Sequence, residues 1–354
     1  MHRFRFILPM VLAVMATMVI RDGATAAEDG LKLTGFRLEL DFHSNFINLR
    51  GFCGASILEV MRDASVELND LCTGGRLSLD LPVASAAGTE WGIFGGVFSM
   101  AGATGETVLF YQNALRRRQV ADRELYDLNL MGYAYSRLGL YGYRRLTLPL
   151  GAAGTRVDVF CSPAYYSAEV VGQGILSPGG DGTQDVAIHG AYRTRGKGAD
   201  GPAGFGAAVS WETRLDFDKY GVYFQLRNLP SLVYFKETRR ECGLIDGEQL
   251  GEGLPDGLAG GFSVIEPKWI TLPPEASAQV VIPLNPGRID LTVIRTGINQ
   301  VLMVGYAHPL WEHAECYARI DPVMGLLNLG YRGTNTAFSL TFRRQVIGFS
   351  AILN

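Results

Sequence analysis

Hydrophobic and polar residues alternate with a period of two along most of the chain. The segments 36–42 (FRLELDF) and 205–217 (FGAAVSWETRLDF) place large apolar side chains on one parity and small or charged ones on the other. Successive side chains of a β-strand point to opposite faces, so this pattern predicts strands with one apolar and one polar face. Turns rich in Gly, Asp, Asn and Pro separate the segments, which favours an antiparallel meander of consecutive strands.

A soluble β-sandwich and a membrane β-barrel both alternate, and three features favour the barrel. The pattern at 205–217 is longer than the about 9–11 residues that a tilted strand needs to cross a bilayer, whereas strands of soluble proteins average about 5–6. Its minor face mixes small and charged side chains, as a barrel lumen does. Tyrosines cluster near predicted strand ends, as expected of aromatic girdles. We therefore predict an all-β, closed antiparallel transmembrane β-barrel with Phe205, Val209, Trp211, Leu215 and Phe217 facing lipid.

The first 26 residues have the layout of a secretory signal peptide. A basic start precedes an apolar run from Phe6 to Ile20, and small residues follow. We expect cleavage after Ala26 or Ala27 and a single barrel domain over residues 27–354, located in the outer membrane of a Gram-negative-type envelope.

The C-terminal segment 346–353 also alternates, and its edge needs a partner. An unpaired strand in lipid would leave backbone N–H and C=O groups unsatisfied, each at a cost of several kcal/mol. We therefore predict that it pairs antiparallel with the first strand, at about 33–42, and closes the sheet. Closure with both termini on one side requires an even number of strands, and we favour fourteen over twelve or sixteen.

One stretch departs from the period of two. Residues 54–71 (GASILEVMRDASVELNDL) place their apolar positions near helical spacing. We predict a short amphipathic helix inserted after the first strand, in the lumen or at its mouth.

Charge and cysteine content exclude some classes of function. The formal net charge is -3, whereas a nucleic-acid-binding face is usually strongly basic, so no nucleic-acid partner is expected. The five cysteines match no zinc pattern. A Cys53–Cys72 disulfide is compatible with export, and buried free thiols are the default interpretation.

No residues form a catalytic, cofactor-binding or metal-binding motif. The GKGADG sequence at 196–201 lies in a polar turn rather than between a strand and a helix, as a dinucleotide site requires. The basic cluster ALRRR at 114–118 is interpreted as a solvated strand end. The candidate functional residues are polar side chains on the inner parity of the predicted strands, and we expect them to face the lumen. They are Arg37, Glu39, Asp41, Glu212, Arg214, Asp216, Thr341 and Arg343.

Three segments resemble the long-chain fatty-acid transporter (FadL-like) superfamily, and more narrowly its spirochaete and Bacteroidetes outer-membrane relatives. They are FDKYGVYFQLRNLPSLVYF (217–235), ITLPPEASAQVVIPL (270–284) and GLLNLGYRGTNTAFSLTFRRQVIGFSAIL (325–353). The resemblance implies a barrel of about fourteen strands that passes small apolar or amphipathic molecules. The partners it implies are outer-membrane lipid, the barrel-assembly machinery and a small hydrophobic ligand.

The leading functional hypothesis is thus a barrel that conducts or transports small hydrophobic molecules, without enzymatic activity. One alternative is a barrel with a structural or surface-interaction role only. Another is a secreted soluble β-sandwich. An open path through the lumen distinguishes a transporter from a scaffold, whose lumen would be filled by side chains.

Overall fold

The fold is one antiparallel sheet of eighteen strand segments with a single described helix. The computed structural model describes residues 36–44, 71–86, 88–116, 119–179, 184–197, 201–250, 258–296, 299–311, 314–322, 325–343 and 346–353. The segments are β1 (Arg37–Ser44), β2 (Leu71–Ala86), β3 (Thr89–Ala103), α1 (Gly105–Leu115), β4 (Glu124–Leu148), β5 (Gly151–Ser162), β6 (Tyr165–Pro178), β7 (Gln184–Lys197), β8 (Gly204–Asp216), β9 (Gly221–Arg227), β10 (Ser231–Leu250), β11 (Leu258–Ile270), β12 (Glu275–Pro283), β13 (Arg288–Thr296), β14 (Asn299–Trp311), β15 (Ala314–Asp321), β16 (Leu326–Arg332), β17 (Thr336–Arg343) and β18 (Val346–Leu353).

The sheet closes on itself through β1 and β18. These two strands pair antiparallel from Leu38 opposite Leu353 to Phe42 opposite Phe349, and β1 pairs with β2 on its other side. The predicted closure is confirmed, and a closed barrel excludes the β-sandwich. We call the end of the barrel near Arg37 and Leu353 the lower end, and the opposite end the upper end.

The number of segments differs from the fourteen strands expected because four long strands of the wall are interrupted. Residues 138–148 of β4 pair with β5, and residues 124–135 pair with β6, so β5 and β6 are the lower and upper parts of one strand. The pairing partners show the same for three other pairs of segments. β8 and β7, β9 and β10, and β12 and β11 are each the lower and upper parts of one strand.

The breaks divide the sheet into two regions. The lower ring is the closed circuit formed by β1–β5, β8, β9 and β12–β18. The upper sheet consists of the upper half of β4 together with β6, β7, β10 and β11. The wall is therefore taller on this side of the barrel than at β13–β18.

Proline and asparagine account for two of the breaks. Asn228 has a positive φ of 59° and precedes a cis Leu229–Pro230 bond, and Pro273 follows β11. Proline has no N–H to donate to a ladder. A side chain restores the lost pairing at this point: the backbone N–H of Leu272 donates to Ser231 Oγ (3.0 Å), which in turn donates to the Leu272 carbonyl (3.2 Å).

The helix α1 lies in the connection between β3 and β4 and packs on the upper sheet. Its Val108 and Phe110 side chains are fully buried, the latter against Tyr126 and Leu128 of β4. This helix was not predicted, and the ALRRR cluster begins at its C-terminal end rather than at a strand end. The helix predicted over residues 54–71 lies outside the described residues, except for Leu71, which begins β2.

The two faces of the wall differ in polarity as the alternation predicts. Phe205, Trp211 and Phe217 are exposed on the outside. Val209 and Leu215 share the parity of Phe205 and Trp211 and are partly exposed. Other large apolar side chains continue this exposed surface around the lower ring, among them Trp91, Val97, Leu138, Leu140, Val157, Val159, Leu291, Val304, Ile320, Leu329, Phe338 and Leu340.

Candidate functional site: the lumen of the lower ring

A cavity of about 500 Å³ lies inside the lower ring. Its lining comes mainly from the inner parity of β1–β5, β8, β9 and β12 and combines aromatic rings with charged groups. Phe94, Phe98 and Tyr141 supply rings, while Arg156 and Glu212 are among the charged side chains. The cavity therefore offers apolar surface and hydrogen-bonding groups to the same occupant.

Two glycines allow tyrosines to lie flat along the cavity wall. A Cβ at Gly92 would come within 2.5 Å of the Tyr141 ring, and a Cβ at Gly154 within 2.5 Å of Tyr143 Oη. Both hydroxyls donate to carboxylates, Tyr141 to Glu90 at 2.7 Å and Tyr143 to Glu212 at 2.5 Å. The rings stay close to the wall, which keeps the space in front of them free.

Arginines and aromatic rings stack along β3–β5. The Arg156 guanidinium lies 4.3 Å from the Tyr141 ring centroid and 5.2 Å from that of Phe94. Arg137 lies 5.4 Å from the Phe160 centroid. Such cation–π contacts use the face of the guanidinium and leave its N–H edge for carboxylates.

Carboxylates take up that N–H edge. Arg156 donates to both oxygens of Asp80, at 2.6 and 3.0 Å, and to Asp158 at 2.7 Å. Because bidentate pairs of this kind fix both partners, the charged lining is held in one arrangement.

Four further charged residues, Glu39, Arg76, Arg227 and Glu275, form a connected bridge across the lumen. Arg227 donates to both oxygens of Glu39, at 3.2 and 3.3 Å, and Arg76 donates to the same carboxylate at 3.5 Å. Arg76 also forms an ion pair with Glu275. We call these four residues the lumen quartet.

The lumen quartet connects opposite walls. Glu39 lies on β1 and Arg227 on β9, with β2, β3, β4, β5 and β8 between them in one direction around the ring and seven strands in the other. Arg76 on β2 and Glu275 on β12 are separated in the same way. The bridge therefore spans the interior of the barrel instead of running along its wall.

A second cavity of about 230 Å³ lies beyond the quartet. Its lining includes all four quartet residues together with Ile294, near the upper end of β13. The main cavity instead reaches Glu90 and Glu212, near the lower end of the ring. The quartet thus separates a lower cavity from an upper one.

A cluster of buried apolar side chains lies in the lumen beside the quartet, at the level of the strand breaks. They include the fully buried Val233 and Phe235 of β10, with Leu272, Tyr135 and Phe98 packed around them. Arg76 lies over the Phe98 ring at 5.4 Å, so the apolar cluster and the quartet are in contact.

The structure brings some of the candidate lumen-facing residues to the site and leaves others apart. Arg37, Glu39 and Glu212 line the main cavity, and Asp41 lines the second. Arg214 and Asp216 pair with each other at 3.1 Å at the lower end of β8, away from both cavities. Thr341 accepts a hydrogen bond of 2.8 Å from Asn328 on the neighbouring β16. The Arg343 side chain lies outside the described residues.

Sequence reasoning missed Arg76, Arg227 and Glu275. Arg76 shares the parity of Ser78 and Asp80 in the sequence RLSLD, which is the same alternation that identified Glu39. Applied to every strand, that signal identifies Arg76. It does not pair Arg76 with a residue of β12, because the pairing depends on the diameter of the ring.

Metal sites and membrane-spanning helices are both absent from the part of the chain that the structure describes. There, no group of three or more His, Cys, Asp or Glu side chains is arranged to hold a metal ion. No described helix has the length and apolar character needed to span a membrane.

Comparison with known proteins gives a weak structural likeness only. No family model matches the sequence, and no curated protein matches it. Among solved structures, the ΔS2S3 mutant of TodX, a monoaromatic hydrocarbon channel, matches with 10% identity and a TM-score of 0.40, covering 90% of this chain and 88% of that one. The ΔS2 mutant of TodX matches with 9% identity and a TM-score of 0.25, covering 90% and 86%.

Proposed function

We propose that this protein is an outer-membrane β-barrel that conducts or transports small hydrophobic or amphipathic molecules through its lumen. The observation that carries the proposal is the cavity of about 500 Å³ enclosed by the closed lower ring. Small-molecule sites typically measure ~300–1,000 Å³.

The outer surface supports a location in a membrane. Large apolar side chains are exposed around the lower ring, whereas monomeric soluble proteins rarely expose contiguous apolar patches above a few hundred Å². An apolar outside and a polar inside are the arrangement of transmembrane barrels. The signal-peptide pattern at the start of the chain is consistent with export to such a membrane.

The lining supports the class of molecule. Aromatic rings such as Phe94 and Tyr141 can pack against an apolar body, and carboxylates such as Glu90 and Glu212 can accept hydrogen bonds. A molecule with one apolar part and one uncharged polar part satisfies both. The partners of this function are outer-membrane lipid, the barrel-assembly machinery and the transported small molecule.

A purely structural barrel is the second candidate, and one observation favours it. The apolar cluster around Phe235 and the lumen quartet place side chains across part of the lumen. A transporter must let its molecule pass these side chains, whereas a scaffold need not.

Uptake into vesicles separates the two. The purified barrel is reconstituted into lipid vesicles, and entry of an uncharged aromatic glycoside, which crosses bilayers slowly, is measured by swelling. We expect uptake above that of protein-free vesicles. Ser78→Trp should reduce it, since Ser78 lines the cavity, whereas Leu140→Trp, on the exposed outer face, should not. A folded protein that gives no uptake would contradict the transport function and favour the scaffold.

A further inference from the structure

The lumen quartet is placed where a passage through the barrel would have to run. The lower cavity and the upper cavity share Glu39, Arg76, Arg227 and Glu275 in their linings. Buried apolar side chains of β3, β4, β10 and β11 lie beside the quartet in the lumen. A direct route from one cavity to the other therefore leads past the ion pairs.

The quartet also differs from ion pairs that merely brace the wall. Arg319 on β15 donates to Asp290 on β13, at 2.7 to 3.0 Å, across only one intervening strand. Separating that pair would change the wall locally and open no route. Separating Glu39 from Arg227 removes a connection between opposite walls.

On the premise of the transport function proposed above, we propose that the lumen quartet is the gate of this barrel and determines the charge of the molecules that pass. In the closed state Glu39 and Arg227 join the walls. In the open state the two side chains separate, and the lower and upper cavities become one passage.

The charge preference follows from the composition of the gate. Two guanidinium groups and two carboxylates carry no formal net charge between them. An open gate of this composition presents a balanced lining, so an ion of either sign gains no favourable field and loses hydration in the narrow lumen. Uncharged molecules are the class that the gate favours.

Paired neutralisation tests the gate. Glu39→Gln with Arg227→Gln removes the bridge without leaving a single uncompensated charge. We expect glycoside uptake and single-channel open probability to rise by about tenfold, which corresponds to about 1.4 kcal/mol in the opening equilibrium. Asp290→Asn with Arg319→Gln is the matched control and should leave both quantities unchanged. The charge-swapped quartet, in which Glu39→Arg and Arg227→Glu are combined with Arg76→Glu and Glu275→Arg, keeps each ion pair and should return them towards the wild-type values.

Reversal potentials in a salt gradient test the charge preference. Neutralising both carboxylates (Glu39→Gln and Glu275→Gln) leaves two arginines and should make the pore prefer anions. Neutralising both arginines (Arg76→Gln and Arg227→Gln) should make it prefer cations. If the four residues only supported the fold, the reversal potentials of these two variants would not have opposite signs.

The outcomes separate the gate from the function on which it rests. If wild-type protein takes up glycoside and the quartet variants behave like the control, the gate is refuted and transport stands. If no form takes up glycoside while the neutralised pair raises ion conductance, the gate stands and the transport function fails. If no quartet variant folds, by the mobility of unheated samples in gels, the quartet holds the barrel together and the proposal is overturned.

Discussion

One apolar row of β4 is exposed in the lower ring and buried in the upper sheet. In the lower ring, Leu138 and Leu140 are 55% and 63% exposed. Tyr126 and Leu128 share their parity but are 7% and 2% exposed in the upper sheet, because α1 covers them. An apolar row that a helix covers at one height, and that no described residue covers at another, indicates two different surroundings.

The difference is expected if lipid contacts the lower row and water surrounds the upper one. In lipid an apolar side chain needs no protein cover, whereas in water its burial contributes about 25 cal/mol per Å². Exposed charged residues of the upper sheet support this division. They form pairs such as Arg239 with Glu241 and Arg193 with Glu169. Under the proposed membrane location, the helix would take the place, above the membrane, of the lipid that covers the same row below.

The largest expected effect is on the stability of the packing between α1 and the upper sheet. Phe110 is fully buried between α1 and the upper sheet, and Gly174 leaves room for its ring. Phe110→Ala should destabilise the packing of α1 by about 3–5 kcal/mol, the usual cost of truncating a buried phenylalanine. Limited proteolysis of residues 104–123 should become faster while the lower ring stays resistant.

Leu109→Ala is the comparison variant for the helix, because Leu109 is only partly buried in the same turn. It should cause a smaller increase in cleavage. Equal cleavage of the two variants would show that α1 does not depend on the Phe110 contact for its position.

The second largest expected effect concerns the exposed apolar side chains on the outside of the lower ring. Val159 is exposed on the outer face of β5, beside Leu140 of β4. Arginine on the lipid face near the bilayer midplane costs about 2–4 kcal/mol. Val159→Arg should therefore lower the free energy of unfolding measured by denaturant titration in lipid vesicles.

Ser78→Arg is its control, because Ser78 faces the lumen cavity, where a charge can remain hydrated. We expect a change of less than half that of Val159→Arg. If the lumen variant were the more destabilised of the two, the faces of the lower ring would have to be exchanged.

Period-two alternation places Arg37, Glu39 and Glu212, which line the main cavity, on the polar parity of β1 and β8. The predicted pairing of residues 346–353 with the first strand also followed from local sequence, because a strand edge in lipid must be satisfied. Both inferences need only the residues of the strands concerned.

Features that depend on distant residues were not predictable in this way. Glu39 and Arg227 are 188 positions apart, and their contact follows from the size and shape of the closed ring. The helix α1 was not predicted because its central residues Val108–Tyr111 form a continuous apolar run. Such a short run is compatible with either a strand or a helix.

The smallest effect concerns the hydrogen bond that joins α1 to β4. Thr107 is fully buried, and its Oγ1 accepts a hydrogen bond of 2.7 Å from the backbone N–H of Asn129. Thr107→Val keeps the volume and removes the acceptor, which leaves a buried N–H without that partner at a cost of about 1–3 kcal/mol. Amide hydrogen exchange at Asn129 should accelerate about tenfold or more, since ~1.4 kcal/mol corresponds to a factor of ten. Thr107→Ser, which retains the hydroxyl, should restore most of the protection. If Thr107→Ser exchanged as fast as Thr107→Val, packing of the threonine methyl group rather than the hydrogen bond would hold the helix against the upper sheet.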